Sequence, residues 1–170
     1  MPELADGDHC DAVPCSEGIP LVCVGWLSSQ SEFRTGSVSE SFFRLMCSHL
    51  KSAWSPPFAC AGRHDCDLCQ FGRSTTRFGD FEFSSASGSE LFIPTGDSIF
   101  VAPVTIAHYI AAHRYLPPDD FIRPVEACPP QRGAPYLQLL LKSGGRAWLT
   151  ALNTCPAASS ICHDHSTFNQ

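Results

Sequence analysis

The residues best suited to chemistry lie in two short stretches. Cys60-Ala-Gly-Arg-His-Asp-Cys-Asp-Leu-Cys69 ends in a Cys-x-x-Cys knuckle, Cys66 and Cys69, and a histidine pair, His108 and His113, follows about forty residues later. Thiolate and imidazole are the donors that zinc prefers in a tetrahedron, and four protein donors make the closed, structural form of such a site. Two cysteines two apart converge on a tight turn without long-range help. Two histidines on one helix can complete the shell if their rings meet. The expected metal ligands are therefore Cys66, Cys69, His108 and His113, holding one structural zinc ion.

The His-x4-His interval is the demanding part of that reading. Five residues on an ideal helix advance about 500°, which leaves the two rings about 140° apart. A widened or frayed last turn relieves this, and His113 stands just before Pro117-Pro118, where a helix must end. Zinc fingers tolerate intervals of three to five. The variant reading replaces His113 with His64 or Cys60. A thioredoxin-like redox pair would open a helix after a strand, and Gln70-Phe-Gly-Arg73 is a poor helix start. The tail Cys162-His-Asp-His165, with Cys155 upstream, carries donor types in a Ser/Ala-rich context and is the weaker candidate.

These donors need elements to place them. Ile19–Leu27 is an apolar run rich in β-formers and reads as a buried strand. Ser37 followed by Glu40 has the form of a capping box, opening an amphipathic helix along Phe42, Phe43, Leu45, Met46, Leu50 and Trp54. Phe78–Phe83 alternates as a strand. Glu90–Pro94 and Ser98–Ala102 flank Thr95-Gly96-Asp97 and read as a β-hairpin. A helix then runs from Pro103 to about Arg114, carrying both histidines. A short helix covers 118–128, weakened or divided by Pro124, and another covers 134–142 until Gly144-Gly145 stops it. The order knuckle, hairpin, helix matches a ββα or treble-clef-like zinc site. The expected fold is a single α+β domain with a small antiparallel sheet and several short helices. Residues 1–18 are expected to form a flexible leader, 19–145 the zinc-stabilised domain, and 146–170 a partly mobile extension.

Composition bounds the rest. A chain of 170 residues, 44% hydrophobic and 16% charged, can bury a core without disulfides. Its net charge of −6 offers no broad attraction for nucleic acid or an anionic membrane. No stretch reaches the roughly 18–20 apolar residues that span a bilayer, and no basic region precedes an apolar run at the N-terminus. A cytoplasmic setting is expected, where the ten cysteines are thiols or ligands rather than a disulfide framework.

Three groups of residues carry a resemblance. They are Val24-Gly25-Trp26-Leu27, the knuckle Gly62–Cys69, and Val101-Ala-Pro103 followed by His108-Tyr-Ile and His113-Arg-Tyr-Leu-Pro-Pro118. Together they resemble a family of small bacterial proteins of unknown function, with a Gly-Trp-Leu strand, a Gly-x-His-x-Cys-x-x-Cys segment, a hairpin and a His-Tyr-[Ile/Val]-x-x-His-x-Tyr helix. The match spans about residues 20–140. It implies the same four ligands, includes His64 as a residue that could support them, and implies no activity.

Three function classes follow. The preferred one is a non-enzymatic, zinc-stabilised interaction module that binds another protein, as an immunity or adaptor protein does. Tyr109, Arg114 and Tyr115 are its candidate contact residues. The alternative is a zinc-dependent hydrolase or nuclease, which requires an open coordination position and a general base. Asp65 and Asp67 are the nearby acids, read as solvated loop residues. His-Glu-x-x-His, Gly-x-Ser-x-Gly and the phosphate-loop pattern are absent, and the knuckle lacks the glutamate of a zinc deaminase. Base reading is the least supported, because the helix at 103–114 offers one arginine among apolar residues. Chelation is expected to unfold much of residues 60–115.

Overall fold

A computed structural model describes residues 4–14, 16–56, 66–69, 75–84 and 90–151. Its elements are β1 (Leu21–Cys23), α1 (Glu40–Lys51), β2 (Thr75–Phe78), β3 (Phe81–Ser84), β4 (Leu91–Pro94), β5 (Ile99–Ala102), α2 (Ile106–His113), α3 (Asp119–Ala127), α4 (Ala134–Leu140) and α5 (Arg146–Ala151). A wide π-type turn at 141–145 links α4 and α5. The architecture is α+β in one domain.

The central sheet has the order β1-β5-β4. β4 and β5 form the expected hairpin, with Leu91 opposite Ala102 and Pro94 opposite Ile99. β1 joins the far edge of β5 in parallel, Leu21 opposite Ile99. Thr95 closes the hairpin, its N–H donating to the Ser98 carbonyl at 2.9 Å. Because strand side chains alternate between faces, this small sheet divides the interior in two. Leu91, Ile93 and Ala102 face a core built with α1, α2 and α3. Phe92, Ile99 and Val101 face a second core with Leu21, Cys23, Tyr136, Leu140 and Trp148. Tyr136 anchors that second layer, its hydroxyl donating to the Phe92 carbonyl at 2.9 Å.

Several boundaries differ from the sequence reading, each for a physical reason. Within the segment expected to be a flexible leader, residues 4–14 include packed side chains. Cys10 and Val13 are buried, and Cys10 N–H and Cys23 N–H exchange backbone bonds with Leu21 and Asp8 alongside β1. The polar composition of residues 4–14 hid two inward-facing apolar side chains. The expected extension likewise begins inside the core, since Trp148 is 1% exposed. The cap of α1 is Ser39 rather than Ser37: the Ser39 hydroxyl accepts from Phe42 N–H at 3.1 Å, while Glu40 is engaged by Arg44 at 2.7 Å. Phe78–Phe83 is not one strand but the turn of a β2–β3 hairpin, with Phe78 opposite Phe81. Gly79 at φ 56 makes that reversal. The strand expected over Ile19–Leu27 is cut to three residues by Gly25, whose φ of 73 leaves the extended region. Pro124 stands inside an unbroken α3. It forfeits one amide donor, and burial of Phe121 and Val125 on the same helix keeps the turn closed.

Candidate metal centre

Each pair of donors is placed by a different kind of local structure. Cys66 and Cys69 sit at the ends of a tight bend, where the backbone N–H groups of Leu68 and Cys69 point at the Cys66 sulfur. This bend is tied to the chain that follows the Gly-Trp-Leu segment: Asp67 Oδ2 accepts from Ser29 N–H at 3.2 Å and from Ser29 Oγ at 3.3 Å. Asp67 thus works as a loop acid that positions the knuckle.

His108 and His113 both lie on α2, which is seated by buried Ile106, Ala107, Tyr109 and Ile110. The helix ends in a wide turn. Arg114 takes the left-handed conformation at φ 55, and its N–H reaches back five residues to the Tyr109 carbonyl. Tyr115 N–H donates to the same oxygen at 3.1 Å. An ideal helix would hold the two rings apart. At this terminus they meet, with ring centroids 5.0 Å apart and Nε2 atoms 3.2 Å apart.

The four donors converge. Cys66 Sγ lies 3.4 Å from His113 Nε2, Cys69 Sγ 3.3 Å from His108 Nε2, and the two sulfurs are 3.8 Å apart. All four ligand atoms fall within 4.8 Å of one another and could hold a metal ion. Cys66 is buried, and the other three are half-buried. His64, Cys60 and Asp65, the variant ligands and one nearby acid, lie outside the described residues, as do Cys155, Cys162, His163 and His165.

The electrostatics suit a cation. Burial pushes the Cys66 thiol up. Burial, and then the neighbouring His113, hold His108 below the usual imidazole range, leaving it neutral and able to donate a lone pair. A bound divalent ion is the charge that would turn these thiols into thiolates. Tyr109 packs against both rings at centroid distances of 6.0 and 6.1 Å. Its hydroxyl is pushed up to about 12 by burial and then by the charge of Cys66.

Of the candidate contact residues, Tyr109 and Tyr115 are both fully buried and Arg114 alone is exposed. The tyrosines belong to the core, not to a docking surface. Sequence reasoning missed Asp6. Its Oδ1 accepts from Gly25 N–H at 2.8 Å and its Oδ2 from Tyr115 OH at 2.7 Å. A lone acid in a polar stretch carries no sequence signal for such a role.

Residues 2–126 match the family model DUF7919, a domain of unknown function. The match covers most of the chain, and the protein belongs to this family. No curated protein and no solved structure matches it.

Proposed function

We propose that Cys66, Cys69, His108 and His113 hold one zinc ion in a closed, structural shell, and that the domain works by binding another protein rather than by catalysis. The observation that carries the metal half is the set of donor separations. With zinc bonds of about 2.3 Å to sulfur and about 2.0–2.1 Å to nitrogen, a regular tetrahedron has edges of about 3.8 Å for S–S, 3.5 Å for S–N and 3.3–3.4 Å for N–N. Four of the six separations are 3.8 Å between sulfurs, 3.3 and 3.4 Å between sulfur and nitrogen, and 3.2 Å between nitrogens, and the other two sulfur–nitrogen pairs lie within 4.8 Å. Two sulfurs and two nitrogens at these distances favour zinc over harder ions, which prefer oxygen. Zinc would supply cross-linking between the knuckle and α2.

The interaction half follows from the same closure. Four protein donors leave no position for water or substrate, which a hydrolase or nuclease needs. An acidic domain with a net charge of −6 suits a protein partner with a basic surface and not nucleic acid. The six described cysteines are free, in keeping with a reducing, cytoplasmic setting. Among the described residues no helix is long and apolar enough to cross a membrane.

Elemental analysis of dialysed protein tests the metal, with one zinc per chain expected. His113→Ala and Cys66→Ala should lose it equally. Retention of zinc by His113→Ala would move the fourth ligand to His64 or Cys60 and reopen the enzymatic reading. Chelator-sensitive hydrolysis of a phosphodiester, ester or amide by the loaded protein, absent in Cys66→Ala, would overturn the non-catalytic half.

A further inference from the structure

We infer that Asp6 is a positioning residue of the metal centre, acting through Tyr115 to fix where His113 stands. The inference rests on the metal reading above and names a residue which that reading does not contain.

The difficulty at this site is the spacing of its histidines. Their rings meet only because α2 widens at its last turn, and His113 is the last residue of α2. Whatever holds the two or three residues after His113 therefore sets the direction of its side chain. Those residues are held on three sides. Gly36 N–H donates to the Arg114 carbonyl at 2.8 Å and Leu116 N–H to the Arg34 carbonyl at 2.9 Å, so that Thr35 and Tyr115 form an antiparallel bridge. Tyr115 N–H caps the Tyr109 carbonyl. The Tyr115 ring then enters the core, fully buried, edge-on to Phe33 at a centroid distance of 6.3 Å.

A buried phenol must find an acceptor for its hydroxyl, and Asp6 supplies it at 2.7 Å. The other oxygen of the same carboxylate takes the Gly25 N–H at 2.8 Å. One side chain thus joins the end of β1, the N-terminal segment and the end of α2. Because one carboxylate accepts both bonds, neither end can shift without the other. The family match begins at residue 2 and takes in Asp6, which places this segment within the domain.

The test is cobalt(II) titration of the full chain and of four variants, with tetrahedral visible absorption as one readout and competition against a chelator as the other. Asp6→Ala and Tyr115→Phe should bind cobalt about tenfold more weakly, at the low end for residues that support metal ligands, with a changed absorption envelope. Asp6→Asn keeps a carbonyl acceptor and should recover part of both. Tyr136→Phe removes an equivalent buried bond on the far face of the sheet and should lower stability while leaving affinity and spectrum as in the wild type. Asp6→Ala and Tyr115→Phe that bind cobalt as the wild type does, or that behave as Tyr136→Phe does, would overturn the inference alone. A wild-type chain that takes up no cobalt would overturn the metal reading and this inference with it.

Discussion

Gly25→Ala is a substitution for which the structure yields a definite cost. Gly25 has φ 73, a conformation in which an L side chain is strained by about 1–2 kcal/mol. A Cβ there would also lie 2.9 Å from Ile106 Cγ1 and 3.0 Å from its Cδ1. Ile106 is fully buried and begins α2, so its side chain has no free space to move into. Overpacking of this kind costs about 1–3 kcal/mol. The total is roughly 2–5 kcal/mol, a large share of a domain's usual stability of about 5–15 kcal/mol. Gly18→Ala is the matched control. Its φ is 75, but an added Cβ meets nothing within 4 Å, so it should pay the strain alone. Urea unfolding at fixed metal concentration measures both, and unchanged m-values would confirm that stability alone has moved. Gly25→Ala should exceed Gly18→Ala by the packing cost. Equal losses would refute the claim that the Gly-Trp-Leu segment requires glycine because α2 presses against it.

Two further perturbations probe the core face that carries α1. Ser39→Ala removes the hydroxyl that accepts from Phe42 N–H and should cost about 1 kcal/mol, with Ser37→Ala near neutral, as read by denaturant midpoints. His49 is 4% exposed, its ring donating to the Val125 carbonyl while Nε2 has no partner among the described residues. Burial holds it below the usual imidazole range. The folded state therefore binds fewer protons than the unfolded one, and stability rises with pH. The His49 contribution should be complete above about pH 6.5, the unfolded value, and should fall as the pH drops from there toward the folded value. The wild type should lose more stability than His49→Gln over that window; the difference isolates His49 from the rest of the chain. Parallel pH profiles would refute it.

What could be read from the sequence was local. Cys66, Cys69, His108 and His113 were legible because few side chains bind soft metals, and each pair has its own short spacing. The β4–β5 hairpin was legible from its Gly-Asp turn between two apolar runs. The parallel pairing of β1 with β5 was not, because it joins residues nearly eighty positions apart and leaves no periodic trace. Tyr109 and Tyr115 looked like surface residues because an amphipathic side chain fits either place. Only the tertiary partner decides, and for Tyr115 that partner is Asp6, 109 positions away. Ser37 and Ser39 are equivalent in local chemistry, and the cap fell to the one immediately before Glu40.

The division of the interior bears on what removing the proposed metal should do. A zinc finger peptide owes its whole fold to the ion, worth about 10–16 kcal/mol, and by that analogy chelation would unfold much of residues 60–115. Here the elements within that span are anchored unequally. β4 and β5 are buried on both faces, between the two cores. α2 is seated by four buried residues. Among the described residues the knuckle has less: the exposed bonds of Asp67 to Ser29, and packing of Cys66, Leu68 and Cys69 against the α1–α2 core. Regions with few buried contacts open first. Chelation should therefore release amide protection at 66–69 and at the wide end of α2, while β4 and β5 exchange as slowly as before. Hydrogen exchange with and without chelator reads this directly. Loss of protection across β4–β5 at the same chelator concentration would show that the ion supports the sheet as well. It would make the proposed ion a condition of folding here, rather than a clasp on a domain that already has its core.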